Sequence, residues 1–308
     1  MKIKQIFKFI GLLGLGLTLI GCIQQTKEMD VGCKRIAFVL SNAAGQEIYS
    51  ICPDGSGLTN LTNSDADDYS PAWSPDGKRL AFVSTRTGSS QVFLMQEDGK
   101  TQTLLTSDYQ NDDPVWLPDG KQIAVRTTDG NGLWWWRLFD LDDENISDLT
   151  EPSYDFFFQK QAWSPDGKKI AYMSLQEQVE RNDGSSQIHI MNMDGSEDQA
   201  LTSDIWANIS PAWSPDGEWI AFLSERDGTY NSFALYIIRA DGRKLKRLTE
   251  PVYSESAVFS WSPDGTQIAI ADLFHVEGIS IVEVKNRKVT LLPGLTEKGS
   301  GLSPSWQP

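Results

Sequence analysis

The segment Pro71-Ala72-Trp73-Ser74-Pro75-Asp76-Gly77 constrains this chain more than any other, because it returns. It recurs as Pro114-Val115-Trp116-Leu117-Pro118-Asp119-Gly120 and as Gln161-Ala162-Trp163-Ser164-Pro165-Asp166-Gly167. Two more copies are Pro211-Ala212-Trp213-Ser214-Pro215-Asp216-Gly217 and Phe259-Ser260-Trp261-Ser262-Pro263-Asp264-Gly265. A clipped copy, Pro304-Ser305-Trp306-Gln307-Pro308, comes last. The tryptophans step nearly evenly, and a period of roughly 40–50 residues marks a repeat architecture.

Each copy has the same internal order. A short segment reaches the Trp, and Ser-Pro-Asp-Gly then makes a turn. Pro presets φ, Asp suits the next position, and Gly accepts the left-handed conformation that closes a hairpin. An apolar run follows, as in Leu80-Ala81-Phe82-Val83 or Ile220-Ala221-Phe222-Leu223. Such runs, apolar on both faces, suit strands covered on both sides. A third strand (Gln91–Met95, Gln187–Met191), an Asp-Gly turn and a fourth strand near Leu104, Ala200 or Arg247 complete the unit. Four antiparallel strands per repeat predict a propeller blade in an all-β fold.

The ring closure is also legible. Lys34-Arg35-Ile36-Ala37-Phe38-Val39 aligns with Lys78-Arg79-Leu80-Ala81-Phe82-Val83, so the domain enters at the second strand of a blade. Ser303-Pro304-Ser305-Trp306 supplies the missing first strand. Six Trp strands and six second strands predict six blades, one of them built from both ends, which shuts the ring non-covalently and leaves no open sheet end.

Trp-Ser-Pro-Asp-Gly followed by Ile-Ala-Phe-Val-Ser, with Asp-Gly and Leu-Thr further on, resembles the WD40-like PD40 repeat of the TolB-like propeller family. The resemblance covers about 33–308. It implies a six-bladed propeller and a binding role in the cell envelope. That family carries an α/β domain ahead of its propeller, for which this sequence leaves no room.

Residues 1–21 read as an export signal: Lys2, Lys4 and Lys8 precede the apolar stretch from Ile10 to Leu17. Leu19-Ile20-Gly21-Cys22 resembles a bacterial lipobox, which implies lipidation of Cys22 and cleavage before it. Residue 23 is Ile rather than Asp, so in a Gram-negative envelope the resemblance favours the outer membrane, on its periplasmic face or at the cell surface. Residues 22–32 form a lipidated tether and 33–308 the propeller. For Cys33 and Cys52 two readings stand: a disulfide across a hairpin, which an oxidising compartment permits, or two thiols.

The formal charge is −15; residues 1–21 hold three lysines and no acid, so the remainder carries −18. That excludes a nucleic-acid partner, whose phosphates require a basic footprint. It also leaves membrane attachment to the lipid alone. Both histidines, His189 and His275, stand apart in sequence. There is no Gly-x-Ser-x-Gly elbow, no His-Glu-x-x-His, no zinc-spaced Cys/His set and no phosphate loop. Asp140-Leu141-Asp142-Asp143 falls where other repeats place a turn, and it lacks the Gly and Glu of an EF-hand. The expectation is a non-enzyme without cofactor or metal.

Function is then expected in the loops that do not repeat. These enter each Trp strand or join second to third strands, on one rim of the ring. The expected partner-binding residues there are Asp67, Asp68, Tyr69, Tyr109, Asp112, Tyr154, Trp206, Tyr253 and His275. Aromatics beside carboxylates fit a protein or peptide from the envelope, bound by a monomeric propeller. The same set fits a cell-wall glycan, with or without lyase or hydrolase chemistry.

Overall fold

A computed structural model describes residues 32–42, 45–150, 161–174, 185–227, 232–251, 253–272, 276–293, 295 and 300–308. Its first strands are β1 (Ile36–Asn42), β2 (Gly45–Ile51) and β3 (Thr59–Asn60). Blade 1 is β4 (Asp68–Trp73), β5 (Arg79–Ser84), β6 (Gln91–Gln96) and β7 (Thr103–Leu104). Blade 2 is β8 (Gln110–Trp116), β9 (Gln122–Thr128), β10 (Trp134–Asp140) and β11 (Ile146–Asp148). Blade 3 is β12 (Ala162–Trp163), β13 (Lys169–Ser174), β14 (Gln187–Asn192) and β15 (Gln199–Ala200). Blade 4 is β16 (Asn208–Trp213), β17 (Trp219–Ser224), β18 (Ala234–Arg239) and β19 (Lys246–Arg247). Blade 5 is β20 (Val258–Trp261), β21 (Gln267–Asp272), β22 (Val276–Glu283) and β23 (Val289–Leu291). The last strand, β24 (Ser300–Trp306), pairs with β1, so the sixth sheet runs β24-β1-β2-β3. The expected six antiparallel blades, with one built from the two ends, are the observed architecture.

The second strands are the most deeply buried, as their apolar runs require; Leu80 to Ser84 and Ile220 to Ser224 are all buried. Between blades, the tryptophans act as pegs. The indole N–H of Trp116 donates to the Ala72 carbonyl of the preceding blade at 3.1 Å, and Trp213 and Trp261 do the same to Ala162 and Ala212. Trp136 of blade 2 meets Trp163 of blade 3 edge-on.

The turn chemistry is as its residues dictate. Asp76 Oδ1 accepts from the Ser74 hydroxyl at 2.6 Å and from the Lys78 N–H at 3.1 Å. Asp166, Asp216 and Asp264 repeat both bonds. These hydrogen bonds hold the Asp76, Asp166 and Asp264 carboxyls below their usual range. Asp140 likewise caps its own turn, accepting from the Asp142 N–H.

At the closing blade, Arg35 N–H donates to Gln307 Oε1 and Gln307 N–H returns to the Arg35 carbonyl. Arg35 is buried and spends its guanidinium on Ser50 and the Gly57 carbonyl. Cys33 and Cys52 are joined by a disulfide beside it, their Cα atoms 5.9 Å apart. Gly99, at φ +81°, turns against this blade so closely that an added Cβ would lie 2.4 Å from the Leu61 carbonyl oxygen.

Candidate functional site

The inner strands of the blades surround a central channel of about 680 Å³. Its wall is mostly proline and tryptophan. Pro71, Pro114, Pro211 and Pro304 come from the strands, Pro118, Pro215 and Pro263 from the turns, and five of the repeating tryptophans stand between them. Polar lining is sparse: Ser70, Asp113, Gln161, Ser260 and Ser303. A mostly apolar cavity with a few fixed polar groups is the usual form of a recognition site.

One backbone device shapes the entry-loop end of this channel. Ser70, Asp113, Ser210 and Ser303 each precede a proline and each has φ between +45° and +55°. The register of the inner strand slips there, between Tyr69 and Ala72, Asp112 and Val115, and Ile209 and Ala212. This is a left-handed bulge, repeated in four blades. Bulges bend a strand and re-aim its side chains. In blade 5 Phe259 replaces the proline and the pairing runs without a slip from Val258 to Trp261.

A buried polar network pins the loops that enter the inner strands. Gln91 Nε2 donates to the Tyr109 carbonyl, and Asn111 donates to Gln91 Oε1 and accepts from Thr127. In blade 4 Asn208 stands where Asn111 does, held by Gln187, Asp204 and Arg226. Asp68 fills the same place in blade 1. It is 0% exposed and bridged by both oxygens to Arg86 at 3.1 Å. Burial raises its carboxyl above the usual range, against hydrogen bonds from Ser84 and Arg86. Asp68 is therefore part of the scaffold and offers no surface to a partner.

Tyr253 needs the same correction. It is 1% exposed, packed in the core with Phe233 and Leu235, and its backbone bridges Phe233. Its aromatic ring gains more from this apolar packing than from a place on the rim. Asp67 is exposed and accepts the Gln46 N–H of the closing blade. Trp206, 39% exposed, stands on the loop entering β16. Cys22, Tyr154 and His275 lie outside the described residues.

The remaining expected residues converge on blade 2 and its border with blade 1. Tyr109 is 53% exposed at φ +53°, edge-on to Trp135 at 5.1 Å and under the Arg137 guanidinium at 5.7 Å. A bulky residue in the left-handed region is strained, and the bidentate Arg137–Asp108 pair helps hold this loop. Tyr69 donates or accepts at Ser90 Oγ, 2.8 Å away. Burial, then the charges of Asp112, Asp113 and Asp67, raise its phenol above the ordinary tyrosine range.

Asp112 and Asp113 share one guanidinium: Arg126 Nη2 is 3.0 Å from Asp113 and 3.7 Å from Asp112. The guanidinium also lies 4.6 Å over the Trp134 ring, and its buried Nε has no hydrogen-bond partner among the described residues. Desolvation and the neighbouring Asp113 push the Asp112 carboxyl up to about 6, against the pull of Arg126. Asp113 and Arg126 were not among the expected residues. Arg126 was readable, since it breaks the apolar run Ile123-Ala124-Val125 at the place of Val83 and Leu223.

This arrangement can hold an extended apolar segment and fix it with charge. No group of three His, Cys, Asp or Glu side chains stands ready for a metal among the described residues. His189 binds Asp198 and packs on Tyr172 in blade 3, far along the chain from Asp112.

The model of the TolB beta propeller domain matches residues 30–178 and 160–308. A TolB homologue of Chlorobium luteolum is 45% identical over 60 residues, 20% of this chain and 14% of that protein. Dipeptidyl-peptidase 5 of Porphyromonas gingivalis is 43% identical over 54 residues, 18% of this chain and 8% of the enzyme. The matched segments thus span less than a fifth of these relatives' own lengths. The crystal structure of TolB from Acinetobacter baumannii superposes with a TM-score of 0.75 at 26% identity, over 89% of this chain and 67% of that one.

Proposed function

This chain belongs to the TolB beta propeller domain family, and from that premise we propose that it is a cell-envelope scaffold that binds a protein or peptide at the entry-loop mouth of its channel. In this reading it has no enzymatic activity, needs no cofactor, and is held to the envelope by a lipid on Cys22, on the periplasmic face of the outer membrane or at the cell surface. The observation that carries the proposal is the channel itself. A wall of proline and tryptophan, opening at left-handed bulges on strands whose entry loops include exposed Tyr109, buries apolar side chains and offers few groups for chemistry.

Affinity capture with the lipidated protein in its own membrane tests this. A partner retained by the native chain and lost with Tyr109→Ala and Asp113→Lys supports it; capture that survives both substitutions rejects the face. A second reading is glycan binding. It draws on the edge-on Tyr109–Trp135 pair and, elsewhere on blade 2, on a carboxylate raised to about 6. Binding on a glycan array, with no protein captured, would favour it.

A further inference from the structure

Among the five blades whose inner strand is described at this position, the register isolates one exception. Just before the bulge, the inner strand carries Tyr69, Ile209 and Leu302, and blade 5 has Val258 there. Each faces an apolar residue on the second strand: Val83, Leu223, Val39 and Ala271. Blade 2 instead sets Asp112 opposite Arg126. It also places Asp113 in the bulge where Ser70, Ser210 and Ser303 stand elsewhere. Among the described residues this is the one blade with charge at that station.

Fold stability does not explain the exception. An ion pair taken out of water gains little over the apolar pair it replaces. The same strand position is an apolar pair in four other blades, three of them with the same bulge. Sequences break a local rule of this kind mainly where function requires it. The charges are also unevenly matched: two carboxylates share one guanidinium, and Arg126 engages Asp113 more closely than Asp112. Asp113 lines the channel, Trp134 lies under the Arg126 guanidinium, and Tyr69 stands near enough for both carboxylates to act on its phenol. A ligand ammonium or guanidinium would complete this set, whereas a ligand carboxylate would meet two acids first.

We propose that Asp112, Asp113 and Arg126 form the specificity-determining anchor of the channel mouth, which takes a lysine or arginine side chain of an extended peptide whose apolar neighbours enter the Pro- and Trp-lined channel. The proposal rests on the peptide-binding reading above and adds the chemistry of the partner. Arg126 positions the two carboxylates and is itself held over Trp134.

A bead-bound library of random heptapeptides, capped at both ends and panned against the full chain, tests it. Selected peptides should carry one Lys or Arg among apolar residues. Replacing that Lys by norleucine should weaken binding about tenfold or more, the scale of one charge-assisted contact. Asp112→Ile with Arg126→Leu and Asp113→Ser rebuilds the blade 4 station, and should bind the Lys and norleucine peptides within about twofold of each other. Asp112→Asn with Asp113→Asn, nearer in shape, is read alongside should the first variant fold poorly. Asp142→Asn, on the opposite rim, should leave the preference intact. Selected peptides without a basic residue, or a basic preference that survives either blade 2 variant, overturn the anchor while leaving the peptide-binding reading in place. If the native chain retains no peptide at all, that reading falls and takes the anchor with it.

Discussion

Ser305 Oγ accepts the backbone N–H of Trp73 at 3.2 Å, and one joint away Ser260 Oγ accepts that of Trp306 at 3.0 Å. These bonds flank β24 on both sides. In the remaining copies Ala72, Val115, Ala162 and Ala212 occupy the residue before the Trp and have no hydroxyl to offer. The blade closed without a covalent bond between its end strands is thus clasped to both neighbours.

Removing residues 299–308 should therefore destabilise the whole propeller, because β1 and the inner faces of blades 1 and 5 lose their cover together. Thermal unfolding checks this, and an unchanged Tm would refute the closure. Ser305→Ala alone should cost about 0.5–1.5 kcal/mol, the net worth of one hydrogen bond.

Gly99→Ala should be among the most damaging single-methyl changes. The added carbon would sit 2.4 Å from the Leu61 oxygen, at a φ that L residues rarely adopt. The cost should be about 1–3 kcal/mol or more, read by urea denaturation. Gly195→Ala, also at a left-handed turn but with open space around it, should cost less.

The Cys33–Cys52 bridge spans 19 residues and fixes β1 to the end of β2. Cys33→Ser with Cys52→Ser should lose about 3 kcal/mol, since the unbridged unfolded chain gains freedom. Free-thiol titration of the native protein and denaturation of the double variant give the answer.

The pH dependence should carry a mark of Asp112. Its carboxyl titrates near 6 in the fold and near 3.9 in an unfolded chain. The folded state then holds its proton more tightly, so this group favours folding below about pH 4, and that contribution is lost as pH rises through about 6. Asp112→Asn should flatten the fall in stability between pH 4 and 6.5. A variant with the native slope there would place the titration elsewhere.

The architecture was legible because one seven-residue segment sets both the period and the turn. Trp-Ser-Pro-Asp-Gly fixes the hairpin, and the Lys34–Val39 alignment fixes the closing blade. The candidate site was legible only in part. Asp112 and Tyr109 were reached by their place in loops that do not repeat. Asp68 misled because its partners, Arg86 and Ser84, are distant in sequence. Its recurrence as Asn111 and Asn208 was the available sign that it belongs to the scaffold. Tyr253 misled because an aromatic in a loop can as well turn inward. The channel wall was not legible: that Pro71, Pro211 and Pro304 face one cavity follows from the ring, and no single repeat contains it. The bulge could have been read from Ser-Pro or Asp-Pro before each of four tryptophans.

The central claim is that a protein or peptide sits at the entry-loop mouth, and site-specific photocrosslinking in intact cells tests it most directly. A benzophenone amino acid placed at Tyr109 should yield a discrete crosslinked partner, and the same group at Asp142 on the opposite rim should yield none. Crosslinks from position 142 alone, or from neither position, would contradict the account.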